Sequence, residues 1–202
     1  SIFLAKTRMV NVDAITISKK QYEVVKKKIF EEGLNQKINV KLLDYRDIKG
    51  KYDKIFSIEM FEAVGEKYWP VYFKKIKNLL NKGGRAVIQT ITMNENDFPR
   101  YRQGGDFIRS YIFPGGMLPS PSRFDEEAKR AGLRSANYYT FGRDYAKTLE
   151  LWLHRFDQKR DQIKALGYDD HFIRLWRFYL AACAAGFKAG RTDVMQVELT
   201  HA

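Results

Sequence analysis

The sequence predicts an α/β fold with a doubly wound parallel sheet, and three observations carry that prediction. Between residues 12 and 92 short apolar runs alternate with stretches of helical periodicity, as βαβ units require. The first of those helices is framed by a capping serine and a closing glycine, Ser18 and Gly33. Beyond residue 93 the alternation gives way to a loop-rich stretch and then to long aromatic-rich helices, which reads as a mostly helical cap over the strand ends.

Taken in order, residues 1–10 read as the end of a helix and Val12-Asp-Ala-Ile-Thr-Ile17 as a buried strand. Ser18 then N-caps a helix from Lys19 to about Glu32. Ile38 to Leu43 is the next strand, ending at Asp44, and Asp53 to Ile58 the one after. A helix is expected directly after Ile58, carrying Glu59 and Glu62 on one face. A helix over 66–81, the turn Lys82-Gly83-Gly84 and a strand from Arg85 to Thr92 follow. The remaining expectations are a helix over 121–131, a strand near 133–141, helices over about 144–165 and 169–187, and an edge strand in the weakly alternating Val194–Thr200. A single domain accommodates all of this, with a core of about 1–93 and 133–202 and a cap made of the insertion 94–132 and the helices 144–187.

Composition narrows the partners. Thirty-six Lys+Arg against 24 Asp+Glu leave +12, a balance that favours anionic surfaces. No basic block or basic amphipathic helix stands out as a nucleic-acid reader, so nucleic acid is not among the expected partners. The one cysteine, Cys183, excludes an intramolecular disulfide and suits a reducing compartment. The longest nearly apolar run, Phe178 to Phe187, is about half of what a membrane span needs. The expectation is a cytoplasmic chain, attached to a membrane at most peripherally.

Three features converge on the carboxyl ends of the strands, where open α/β sheets bind their ligands. Thr16, Ser18 and Gln21 offer hydroxyls and an amide to a ribose, although simple capping by Ser18 is the commoner use of such a serine. Asp44-Tyr45-Arg46-Asp47 offers an acid for an adenine amino group and a flat face for the ring, or else is a solvated loop. Glu59 and Glu62 form the third, and either acid also suits a first helical turn on dipole grounds alone. What the pattern lacks is a strand followed by a glycine-rich turn. The chain is expected to begin just inside the helix that follows such a turn.

Five motifs occur in one order: Ile15-Thr-Ile-Ser-Lys-Lys-Gln21, Ser57-Ile-Glu-Met-Phe-Glu-Ala-Val-Gly65, Gly83-Gly-Arg-Ala-Val-Ile-Gln-Thr-Ile91, Tyr111-Ile-Phe-Pro-Gly-Gly116 and Phe141-Gly-Arg-Asp-Tyr145. Together, from residue 2 to about 198, they resemble the cyclopropane-fatty-acyl-phospholipid synthase family, S-adenosylmethionine-dependent methyltransferases that act on unsaturated lipid chains. The resemblance implies a Rossmann-like methyltransferase sheet, truncated at its first strand, with an acyl-chain tunnel formed partly by the cap. It implies S-adenosylmethionine contacts at Thr16, Ser18, Gln21, Tyr45, Arg46 and Ile58, to which the reading of the acid after the second strand adds Asp44. It implies a bicarbonate ion, the family's general base, held by Glu62, Gln89, Ile91 and Tyr145. Cys183 matches a cysteine near the family's site, while burial as a small apolar residue is the plainer role. Aromatic residues such as Tyr111, Phe113, Tyr138, Tyr139, Phe141, Tyr145 and Trp152 would face a cation formed on the acyl chain.

Two departures matter. The best-known cyclopropane synthases carry histidine where Gln89 stands; an amide positions an anion but does not titrate, and glutamine also occurs in branches that resemble makers of methyl-branched chains. The family's N-terminal portion, with its glycine-rich loop, has no counterpart here. The resemblance thus implies a fragment of a longer protein or a degenerate member, with an exposed sheet edge open to homodimerisation. A small-molecule methyltransferase of the same fold and a non-catalytic fragment are the alternatives.

Overall fold

The computed structural model describes residues 1–202 and divides into two compact units, Ser1–Gly50 and Lys51–Ala202. The first holds α1 (Ile2–Arg8), β1 (Val12–Thr16), α2 (Lys19–Glu31) and β2 (Ile38–Leu42). β1 and β2 pair in parallel, from Val12 opposite Ile38 to Thr16 opposite Leu42. Their crossover is α2, started where Ser18 Oγ accepts from the Gln21 N–H at 3.3 Å. It stops at Gly33, whose φ of 64° lets the Leu34 N–H reach back to the Ile29 carbonyl. Ala5, Ile29 and Ile38 form this unit's core, flanked by Val12, Val25, Leu34 and Val40.

The second unit holds β3 (Tyr52–Ile58), two 3-10 turns (Phe61–Ala63 and Glu66–Tyr68), α3 (Trp69–Leu79) and β4 (Leu80–Met93). Then come α4 (Phe98–Gln103), a single π-helical turn (Ile108–Ile112), α5 (Pro121–Arg130) and β5 (Leu133–Thr140). α6 (Gly142–Gln158), α7 (Arg160–Ala165), α8 (Asp170–Lys188) and β6 (Thr192–His201) complete it. The four strands are ordered β3-β4-β6-β5, with β3 and β4 parallel and β6 antiparallel to both of its neighbours.

Five expectations change. No helix follows Ile58: Glu59 takes a left-handed backbone, φ 52°, and Phe61 turns into the core, leaving a single 3-10 turn. Glu59 and Glu62 therefore share no helical face. The helix expected over 66–81 starts at Trp69 because Gly65, at φ 76°, breaks the path before it. The strand after it begins at Leu80 and bulges opposite Tyr52–Lys54, with Gly83 at φ 76°. β6 is no edge strand; it lies between β4 and β5, and Val194, Met195, Val197 and Leu199 are all at most 1% exposed. Met195, Val197 and Leu199 line its buried face, with the half-buried Gln196, Glu198 and Thr200 on the other. The expected helix 144–165 divides at Lys159, whose φ of −105° leaves the helical path without a glycine or proline to announce it.

Two clusters hold this unit together. Phe61, Trp69, Tyr72, Phe73 and Phe124 are buried to 2% exposure or less, with Phe61 against the other four at ring distances of 5.0–5.5 Å. Ala146 and Leu149 of α6 pack with Leu180, Ala184 and Phe187 of α8 and Val194 of β6. The first cluster anchors the turn after β3. The second presses α6 and α8 onto the sheet.

Candidate active site

In the second unit the ends of β3 and β4 bring a polar chain together. Gln89 of β4 and Gln196 of β6 are register partners, and the Gln196 amide donates to Gln89 Oε1 at 2.8 Å. That bond turns the Gln89 NH2 the other way, where it donates to Glu59 Oε1 at 2.9 Å. The Tyr145 hydroxyl donates to the same oxygen at 2.8 Å. The Glu59 backbone N–H meanwhile donates to the Gln89 carbonyl at 2.9 Å, so main chain and side chain of Glu59 are both tied to one residue. Burial first, and the bond to Glu59 second, push the Tyr145 phenol well above the usual tyrosine range.

Glu62 is held differently. The Ile91 N–H donates to its Oε1 at 2.6 Å, while Oε2 is buried and has no hydrogen-bond partner. A buried carboxylate oxygen without a partner is unfavourable, and desolvation raises the Glu62 acid above its ordinary value, with the nearby Glu59 charge adding to the shift. The Glu62 carbonyl accepts from the Met117 N–H at 2.9 Å, which ties the 111–120 segment to this turn.

Tyr145 lies in the first turn of α6, and that turn is fixed from β6. Asp193 Oδ1 accepts from the Gly142 N–H at 2.7 Å. A Cβ on residue 142 would stand 2.6 Å from Asp193 Oδ1 and 3.0 Å from its Cα. Gly142→Ala is therefore expected to displace the start of α6 and destabilise the fold by about 1–3 kcal/mol, the range for overpacking a close contact. A thermal melt would check it; an unchanged melting temperature would show that α6 does not depend on this cap.

Aromatic rings surround the polar chain. Tyr145 meets Phe187 at 5.1 Å, and Trp152 and Phe141 at 6.4 Å each. Tyr179, its phenol pushed up to about 12 mainly by burial, lies 5.3 Å from Trp176 and 5.9 Å from Phe113. Tyr139 stacks on Phe141 at 5.6 Å, but Tyr138 points to the other face of β5 and bonds to Asp125 of α5. Cys183 packs against the cluster between α6 and α8, and burial raises its thiol to about 11. That environment suits a thiol, not a thiolate. Ile58 ends β3 with an exposed side chain.

The first unit groups the remaining candidates in two places. The Thr16 hydroxyl accepts from the Ser18 N–H at 3.1 Å and donates to Gln21 Oε1 at 2.8 Å, so Thr16, Ser18 and Gln21 form one cluster where β1 meets α2. Past β2, Arg46 grips Asp44 with two bonds of 2.9 and 2.8 Å and a third from its own N–H at 2.9 Å. Those bonds hold the Asp44 carboxyl below its usual range. Tyr45 sits between them, half-buried.

Sequence reasoning missed Gln196, Asp193 and Gly142, and it left Glu59 without a role of its own. A polar residue at the centre of an otherwise buried strand was the available signal for Gln196.

A parallel β-α-β unit, a mixed sheet closed by an antiparallel last strand and a polar, aromatic-lined cluster at the strand ends define the class: this is the fold of S-adenosylmethionine-dependent methyltransferases. The mycolic acid cyclopropane synthetase family model matches residues 2–197, and the chain belongs to that family. It is 39% identical over 193 residues to tuberculostearic acid methyltransferase UfaA1 of Mycobacterium tuberculosis, covering 95% of this chain and 45% of that protein. Cyclopropane-fatty-acyl-phospholipid synthase of Escherichia coli is 32% identical over 195 residues, covering 96% of this chain and 48% of its own. Among solved structures, cyclopropane synthase MmaA2 from Mycobacterium tuberculosis superposes with a TM-score of 0.88 at 25% identity, covering 97% of this chain and 72% of that one. Mycolic acid cyclopropane synthase CmaA1, complexed with SAH and CTAB, gives 0.88 at 28% identity with the same coverage. The chain spans about half the length of the curated relatives it matches.

Proposed function

We propose that this protein transfers a one-carbon unit from S-adenosylmethionine to the double bond of an unsaturated phospholipid acyl chain, giving a cyclopropane or methyl-branched chain, with residues 1–202 acting as one methyltransferase domain. The observation that carries this reading is the pair of carboxylates, Glu59 and Glu62, set beside Tyr145 among aromatic rings of α6 and α8. Few reactions want acids and aromatic faces in one place; quenching a carbocation is one of them.

The cofactor supplies a methyl group already activated on a sulfonium. Asp44, kept ionised by Arg46, suits an amino or hydroxyl donor of a nucleoside, and the half-buried Tyr45 offers a ring face. Thr16, Ser18 and Gln21 form a polar cluster suited to ribose hydroxyls, and Ile58 an apolar contact. On the substrate side the rings of Phe141, Tyr145 and Trp152 offer π faces to a developing positive charge. The cation must then lose a proton, which requires an acceptor close by. The residues that the resemblance assigns to bicarbonate do not fit it in this arrangement: the Ile91 N–H is taken by Glu62, and the Gln89 amide and Tyr145 hydroxyl by Glu59.

The test is incubation with S-adenosylmethionine and vesicles of a monounsaturated anionic phospholipid. The reading expects release of S-adenosylhomocysteine and a gain of one CH2 in the acyl chain; methylation of soluble acceptors alone would overturn it.

No helix is long and apolar enough to cross a membrane. With a formal charge of +12, the protein is expected to meet the lipid through an anionic bilayer surface. Its co-sedimentation with anionic vesicles should weaken as salt shortens the Debye length from about 10 Å at 0.1 M to about 3 Å at 1 M. Binding that ignores salt, or that is equal on neutral vesicles, would remove the electrostatic part.

A further inference from the structure

Glu59 is the residue of this site with the least ordinary backbone and the most bonds. A non-glycine side chain at φ 52° is disfavoured, and a glycine or asparagine would relieve it. Its carboxylate nevertheless gathers both neutral donors of the site, the Gln89 amide at 2.9 Å and the Tyr145 hydroxyl at 2.8 Å. Gln196 fixes the Gln89 amide so that its NH2, not its carbonyl, faces Glu59. Three side chains from β4, β6 and α6 are thus arranged to receive a negative charge, and the chain itself provides it. Glu62, with one buried oxygen unpartnered and its acid raised by burial, stands alongside as a second carboxyl group.

We propose that Glu59 is the resident anion of this site: it occupies the position open to a small inorganic oxyanion, excludes bicarbonate, and accepts the proton lost from the alkylated acyl chain. The last part rests on the lipid reading above. In that step the alkene electron pair forms a C–C bond to the sulfonium methyl as the C–S bond breaks, releasing S-adenosylhomocysteine and leaving a cation on the neighbouring chain carbon. A C–H bond then gives its electron pair to the cationic carbon: one on the newly added methyl closes a three-membered ring, and one on the carbon adjacent to the cation forms an alkene. Its proton passes to the Glu59 carboxylate, and the resulting acid returns that proton to water before the next turnover. The bonds from Gln89 and Tyr145 hold the accepting oxygen in place while it waits.

Two readouts test this on the full chain. The first is calorimetric titration with sodium bicarbonate against a sodium chloride control. Wild type should give no saturable heat, whereas Glu59→Gly, which relieves the left-handed backbone, should gain a saturable site that is lost again in Glu59→Gly/Tyr145→Phe. Saturable binding to wild type that Tyr145→Phe abolishes, or a Glu59→Gly protein that binds nothing, overturns the proposal. The second readout is turnover on unsaturated phospholipid in carbonate-free and carbonate-containing buffer. Wild type should be indifferent to bicarbonate. Glu59→Gln, which keeps an acceptor but takes up no proton at neutral pH, should lose about 100-fold or more. Glu59→Gly should be slow until bicarbonate is added. A wild-type rate that collapses on removing carbonate overturns the proposal. A wild-type chain that methylates no lipid sinks the lipid reading and the proton step with it, while the titration still decides whether Glu59 fills the anion position.

Discussion

Phe61→Ala is expected to lower stability by about 3–5 kcal/mol, the range for an aromatic side chain removed from a packed core. The ring is fully buried, against Trp69, Tyr72, Phe73 and Phe124. A domain of this kind is stable by about 5–15 kcal/mol, so the variant should remain folded in the cold but unfold at markedly lower urea concentration. Its consequence for the site is larger than that figure suggests. Phe61 stands between the two carboxylates, one residue before Glu62 and two after Glu59, and no helix supports this segment. The buried ring helps keep the 3-10 turn in register with β4, where Glu62 meets the Ile91 N–H. Turnover measured under fully native conditions should therefore fall as well. A variant that is destabilised yet keeps its full rate would show that β4, rather than the aromatic core, positions the acids.

Glu62→Gln should separate stability from activity in opposite directions. Burial raises the Glu62 acid above its ordinary 4.5, so the folded protein holds this proton more tightly than the unfolded chain does. Between the unfolded and folded values the native state binds more protons, and stability falls as pH rises through that window. Above it the full penalty of ionising Glu62 persists. Glutamine never ionises, so the variant should melt higher than wild type at neutral pH, and the advantage should shrink as pH drops toward 4.5 and vanish below it. Activity should move the other way. Removing the charge of Glu62, whose second oxygen is buried without a partner beside Glu59 and Tyr145, should lower turnover about 100-fold or more, at the lower end of acid–base contributions. Melts across pH 4–8, paired with rates of S-adenosylhomocysteine release, would check both halves; equal melting curves at every pH would mean that Glu62 titrates alike in the folded and unfolded chain.

The sequence revealed the parts of this site that sit in dense local motifs. Glu62, Gln89 and Ile91 lie in strand-end stretches whose order is itself a signature, and the structure brings them to the neighbouring ends of β3 and β4. Helix α2 was readable from end to end because Ser18 and Gly33 act through bonds a few residues long. Residues that act across the sheet were not readable. Gln196 matters only because antiparallel pairing sets it opposite Gln89, and no local pattern fixes that register. Asp193 and Gly142 meet through a contact that spans the whole of α6, α7 and α8. Glu59 was visible as one of two acids, but its left-handed backbone was not, since a non-glycine residue in that conformation leaves no mark on the sequence. The helix expected there followed from spacing alone, and the demand of the Phe61 ring for burial prevailed over it.

The central place of β6 also constrains how the protein is made. This strand follows β5 only after three intervening helices, yet it joins β4 to β5 and supplies the amide that orients Gln89, a contact 107 residues distant in sequence. During synthesis β4 therefore emerges with β3 as its only partner, and β5 with none, for as long as the ribosome takes to deliver three further helices and β6, about ten seconds at 5–20 residues per second. Through that interval the apolar edge of β4 is open to any other nascent strand. Completion of the second unit therefore waits for β6 and is slowed by the long loop it must close. Demand for a holding chaperone should be greatest just before the final strand clears the exit tunnel.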